Sequence, residues 1–177
     1  MESARTREGK SMSRKLNKLS EWNEFDRVKR DMVFIAHRLR ELGSDDNEII
    51  ELFNGTYVKP ELPSFPKRKG LLVELEWYLN HSKENWDIIP LYEGASWMKG
   101  KKLGNTPDFL VAGEYPKGNK KGIFFVEVKS SRETMENDRR KIERMQQRIS
   151  RISEVSGHNI PLFVFFKENG KWRMAIS

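Results

Sequence analysis

The chain contains no cysteine, which excludes a disulfide framework and any Cys-ligated metal site. Histidine is almost as scarce: His37, His81 and His158 are the only three, and they stand in unrelated contexts. No apolar run exceeds about six residues, far short of the roughly twenty that a membrane-spanning helix needs. The opening MESARTREGKSMSRKLNKLS lacks the apolar stretch of a secretory signal, and the early Glu2 and Glu8 speak against a transit peptide. These absences lead to the expectation of an intracellular protein (cytoplasm, nucleoid or host cell), neither secreted nor membrane-bound.

What is present is charge. Of 177 residues 33% are charged and 37% hydrophobic, enough apolar material for one ordinary core beneath a very wet surface. The net charge of +7 is unevenly spread: +4 over residues 1–30, −4 over 31–66 and +7 over 67–177. A basic C-terminal two-thirds suggests a polyanionic partner.

The local pattern divides the chain at about residue 66. Residues 1–20 read as a basic, disordered tail. In 21–58, Trp22, Phe25, Val28, Met32, Ile35, Leu39 and Leu42 recur every three or four residues, one stripe of an amphipathic helix. Gly43 is placed to end it. Ser44 or Asp45, with Glu48 following, is placed to cap a second helix whose apolar residues are Ile49, Ile50, Leu52 and Phe53. The second helix is too acidic to suit a DNA groove, so this helical segment is expected to serve packing or dimerisation. The proline-rich stretch 59–68 reads as a linker, and 69–177 as the main domain. There the expected order is a helix (71–81), strands at 88–92, 107–113 and 122–130, a long helix (133–156), and strands at 160–166 and 171–176. The class is α/β.

Chemistry concentrates in PDFLVAGEYPKGNKKGIFFVEVKSS, residues 107–131. Two predicted strands each carry acid, Asp108 at the start of the first and Glu127 within the second, with Lys129 two positions on. Alternate residues of a strand share a face, so Glu127 and Lys129 project together, and Asp108 lies beside Glu127 if the strands pair. Carboxylates packed side by side repel unless one is protonated. A divalent cation resolves the conflict, and Mg²⁺ takes one or two carboxylates with water at about 2.0–2.1 Å. The expected cradle is Asp108, Glu127 and the backbone carbonyl of Val128, with Lys129 orienting the attacking water and stabilising charge on a phosphate.

Pro107-Asp108 followed by Glu127-Val128-Lys129, within this order of helices and strands, resembles the PD-(D/E)XK nucleases. The likeness covers roughly residues 67–177 and is greatest to the archaeal Holliday junction resolvases, where a Lys-Gly followed by a glutamate opens the core. Here Lys69-Gly70-Leu71-Leu72-Val73-Glu74 stands in that place. The resemblance implies a restriction endonuclease-like α-β-β-β-α-β core with a mixed central sheet, to which residues 1–66 add a helical extension. It implies a Mg²⁺-dependent DNA endonuclease, with Mn²⁺ able to substitute, leaving a 5′-phosphate and a 3′-hydroxyl. It adds Glu74 to the catalytic and metal-binding set. Helix geometry alone leaves Glu74 and Glu76 both open. Ser96 matches a family serine loosely. A junction resolvase further implies branched DNA as partner and a two-fold homodimer, through the 160–166 strand or the N-terminal helices. For gripping DNA the candidates are Ser96, Lys99, Lys101 and Lys102, in a loop that also carries Trp97, and Lys141, Arg144, Arg148 and Arg151 along the long helix. Alternatives are a nuclease of the same fold acting on flaps, single strands or duplex ends, and a non-catalytic DNA-binding or assembly protein.

Overall fold

A computed structural model describes residue 29 and residues 31–56, 58, 65–82, 85–91 and 106–175. Helix α1 covers residues 31–41, with Lys29 also helical. It is followed by α2 (Asp46–Thr56), α3 (Phe65–His81), β1 (Asp87–Pro90), β2 (Phe109–Glu114), β3 (Lys121–Lys129), α4 (Arg132–Asn137), α5 (Arg139–Ser156), β4 (Leu162–Glu168) and β5 (Lys171–Ala175). The strands form one mixed five-stranded sheet in the order β1-β2-β3-β4-β5. All neighbours are antiparallel except β3 and β4, which run parallel. A parallel pair needs a long crossover, and α4 and α5 supply it. The α/β class and the mixed sheet are as expected.

Local chemistry explains the ends of these elements. Gly43 takes φ 99°, and the bonds from Gly43 N–H to Arg40 O and from Ser44 N–H to Leu39 O, both 3.0 Å, close α1 as a Schellman motif. Asp45 and Glu48 cap α2 reciprocally: Glu48 N–H donates to Asp45 Oδ1 at 2.9 Å, and Asp45 N–H to Glu48 Oε2 at 3.3 Å. Asn169 and Gly170 both have positive φ, which suits the tight β4–β5 hairpin.

Helix α3 starts at Phe65, inside the expected linker. Pro66 sits in its first turn, where a missing N–H costs no helical bond. The expected long helix over 133–156 is two helices, broken at Asp138. The expected α1 stripe is also corrected. Met32 and Ala36 are its buried residues and Leu39 is partly buried, whereas Ile35 lies at the margin and Leu42 is exposed. The buried face therefore runs Lys29-Met32-Ala36, rotated from the anticipated one. Trp22, Phe25 and Val28, the 1–20 tail and residues 59–64 lie outside the described residues, as do Tyr92 and Ile176.

Two layers cover the sheet. On one side Trp77 of α3 packs with Phe109, Val111, Phe124, Val126, Val128 and Phe165. On the other, Ile142, Met145 and Ile149 of α5 meet Ile160, Leu162 and Val164, with Phe125 packed alongside. A third cluster joins Met32, Ala36, Ile49 and Phe53 to Leu75 and Leu79 of α3, so the N-terminal helices share a core with the domain's first helix. Arg40 reinforces the joint by bonding Asp46, Ser82 Oγ and the Leu79 carbonyl. Strand β4 is interior, flanked by β3 and β5 and largely buried. It is therefore not available as the subunit interface expected of it. Among the described residues no helix is long and apolar enough to cross a membrane.

Candidate active site

The β2–β3 register pairs Phe109 with Val126. Continued by one residue, it brings Asp108 opposite Glu127. Asp108 is locked there from both sides. Its N–H donates to the Val126 carbonyl at 2.9 Å, and its Oδ2 accepts the Val128 N–H at 2.7 Å. The pleat of β3 turns Phe124, Val126 and Val128 to the α3 layer and Phe125 to the α5 layer. Glu127 and Lys129 share the parity of Phe125 and follow it. Both are buried, at 3% and 7% exposure.

Three acids from three elements meet at this end of the sheet. Asp108 shares hydrogen bonds with Glu74 of α3 and with Glu127. Burial pushes all three carboxyls up. For Glu74 and Glu127 the charge of Asp108 adds to burial and holds them well above the usual carboxylate range. For Asp108 burial is outweighed by the Lys29 ammonium and by hydrogen bonds from Glu74, Glu127 and the Val128 N–H, and its pKa falls to about 2. Packed together, the three carboxyls do not ionise alike: Asp108 gives up its proton first, and Glu74 and Glu127 only at higher pH. Glu76, the helix alternative, bonds Lys167 at 2.7 Å instead.

Two ammonium groups complete the cluster. Lys129 Nζ donates to Asp138 Oδ2 at 2.6 Å. Burial opposes its charge, but Glu127 and Asp138 outweigh burial and raise its pKa. The break between α4 and α5 delivers this partner: Asp138 occupies the cap of α5 without capping it, leaving its carboxylate for Lys129. Lys29 was not anticipated. It is 8% exposed, and its Nζ donates to Glu74 Oε1 at 2.7 Å and to the Asp108 carbonyl at 2.8 Å. It also lies 4.8 Å from the centre of the Phe109 ring. The available signal was positional: Lys29 precedes Met32 by three residues and Ala36 by seven, on the buried face of α1.

Among the described residues no three or more His, Asp or Glu side chains converge as a metal cage. Glu74 accepts from Lys29, and Asp108 and Glu127, opposed across β2 and β3, form a two-carboxylate set. Glu127 Oε2 is buried with no hydrogen-bond partner. Buried carboxylate oxygens are rarely left so. An all-oxygen pair with an unsatisfied acceptor fits a hard divalent cation such as Mg²⁺, which uses one or two carboxylates and fills its shell with water. Val128, whose carbonyl was the third expected donor, lies on β3 opposite Phe165 of β4.

The basic residues divide. Lys141 is half-buried at the start of α5, close enough for its charge to act on Glu127. Arg144 and Arg151 are exposed and Arg148 half-buried. At 1.5 Å per residue the row leads away from Lys141 for about 15 Å. Ser96, Lys99, Lys101 and Lys102, with Trp97, lie outside the described residues. His81 is buried in the aromatic core and stacks on Trp77 at 4.6 Å. Comparison with protein-family models, with curated proteins and with solved structures finds no match to this chain.

Proposed function

We propose that this chain is a metal-dependent DNA endonuclease with a restriction endonuclease-like core, hydrolysing phosphodiester bonds at the Asp108–Glu127–Lys129 cluster. One observation carries the reading: a half-buried carboxylate, Asp108, opposed across adjacent strands to a buried one, Glu127, which has an orphaned oxygen, with the buried ammonium of Lys129 on the same strand face.

The chain's own groups then have distinct tasks. Asp108 and Glu127 hold the divalent ion, which when bound polarises the phosphoryl oxygen and lowers the pKa of water. Lys129 is held protonated, so it acts as a donor and not as a base: it orients the attacking water and offsets charge growing on the phosphate. Asp138 fixes the direction of that ammonium. Glu74 meets Asp108 from the α3 side and keeps Lys29 at the site. The row from Lys141 to Arg151 offers a track for the phosphate backbone. A four-way junction, which needs paired symmetric cuts, is the substrate the sequence resemblance favours, in the hands of a homodimer.

The test is cleavage of labelled junction, flap, duplex and single-stranded DNA in Mg²⁺ or Mn²⁺ and in EDTA. Metal-dependent cutting is expected, lost by about 10²-fold or more in Lys129→Met. Binding without cutting on every substrate would instead favour the non-catalytic DNA-binding alternative, and equal cutting by Lys129→Met would remove that residue's role.

A further inference from the structure

Lys29 comes from outside the span that carries the catalytic residues, yet its ammonium is buried at their centre. It has three partners: the Glu74 carboxylate at 2.7 Å, the Asp108 carbonyl at 2.8 Å and the face of Phe109 at 4.8 Å. A carboxylate oxygen and a backbone carbonyl converging on one cation at this depth are the donors a hard metal ion would also choose. Burying a charge this deeply is unfavourable unless it is paired and hydrogen-bonded, and here both conditions are met. On the other side of Asp108 the situation is reversed. Among the described residues no ammonium is hydrogen-bonded to the side chain of Asp108 or Glu127, because Lys29 reaches Asp108 only at its backbone carbonyl and Lys129 is turned to Asp138. Glu127 Oε2 stays unsatisfied. The Glu74 side of Asp108 thus has a cation supplied by the chain, and the Glu127 side has none hydrogen-bonded to it among the described residues.

We propose that Lys29 is a built-in cation standing between Glu74 and Asp108 where a second metal ion would otherwise sit, so that the centre takes up one divalent ion per chain, on Asp108 and Glu127. The inference rests on the metal-dependent reading above and deepens it. It makes the segment around residue 29 a determinant of metal stoichiometry, and it makes Glu74 the counter-ion of Lys29.

The test is Mn²⁺ titration of the full chain by calorimetry, joined to electron paramagnetic resonance of the loaded protein. Wild type is expected to bind one ion with the six-line spectrum of isolated Mn²⁺. Lys29→Met, which vacates the position and frees Glu74, is expected to bind two, with the broadened spectrum of a coupled pair. The double variant Lys29→Met/Glu74→Gln removes both partners of the buried pair and is expected to return to one ion. Two coupled ions in wild type would overturn the inference, a measurement that stands even if Lys29→Met fails to fold. One ion in folded Lys29→Met would also overturn it while leaving the nuclease reading intact. No bound ion in wild type would overturn both.

Discussion

On one face of β3, Phe124, Val126 and Val128 meet Trp77, Phe109 and Phe165; on the other, Phe125 is followed by Glu127 and Lys129. These are alternate residues of one nine-residue strand. The first face is dry and aromatic: Trp77 lies 4.9 Å from Phe109 and 5.4 Å from Phe165, ring centre to ring centre. Its contacts are dispersion and area, which hold a fold together without a charged group. The second face is apolar only as far as Phe125. Beyond it, the turn at Asp138 opens the α4–α5 layer, and Glu127 and Lys129 find charged neighbours there and not carbon. One strand thus separates an apolar face from a charged one by the pleat, and residues on its two faces should fail in different ways when changed.

The largest effect is expected on the dry face. Trp77→Ala removes a fully buried indole and should cost about 3–5 kcal/mol, read as a lower denaturation midpoint. Cleavage would be lost only in step with the folded fraction. If stability held and chemistry alone failed, the division between the faces would be wrong.

On the charged face the direction reverses. Glu127 and Glu74 have folded pKa values raised above 4.5, so above that pH the unfolded chain releases protons that the folded chain retains. Stability of the metal-free protein should therefore fall as pH rises from about 4.5 through the raised values. Asp108, lowered to about 2 from 3.8, adds stability only as pH rises across that lower window. The two lysines, raised above 10.5, lose their contribution only above that value. Glu127→Gln removes one titration. In EDTA its melting temperature should exceed that of wild type at pH 8 by a few degrees, at roughly 2–4 °C per kcal/mol, and match it near pH 4, while cleavage is abolished. A variant less stable than wild type at pH 8 would show Glu127 to be a net structural contributor.

The smallest effect sharpens the picture within the charged face. Asp138→Asn keeps a polar group beside Lys129 but removes the charge that directs it. Cleavage should drop about tenfold, at the low end of what a misdirected catalytic group costs, with DNA affinity and melting temperature nearly unchanged. A loss as deep as that of Lys129→Met would make Asp138 a participant in the reaction and not its positioning residue.

Much of this was legible in the chain itself, because it depends on short-range periodicity. Alternation placed β2 and β3 within two residues of their observed ends and put Glu127 and Lys129 on one face. Glycine and the Asp45–Glu48 spacing marked where α1 stops and α2 begins. The pairing of Asp108 with Glu127 was an inference from adjacency, and the register 109↔126 supplies it. Less legible was the face of α1. A 3.6-residue period admits neighbouring faces, and Ile35 and Leu42 weigh more in a hydrophobic count than Ala36, which is fully buried.

The sequence by itself determined the elements, their order and the acids and lysine that share a strand, since each follows from the geometry of one or two turns or pleats of chain. Only the tertiary structure decided that the 132–156 segment breaks at Asp138 to hold Lys129 and that Lys29, 79 residues before Asp108, closes the cluster, and where helix geometry left Glu74 and Glu76 both open it turned Glu76 to Lys167. Those choices rest on electrostatic pairing between distant segments. An ammonium can be buried only where a carboxylate and a carbonyl already wait for it, and nothing local to residue 29 says that they do.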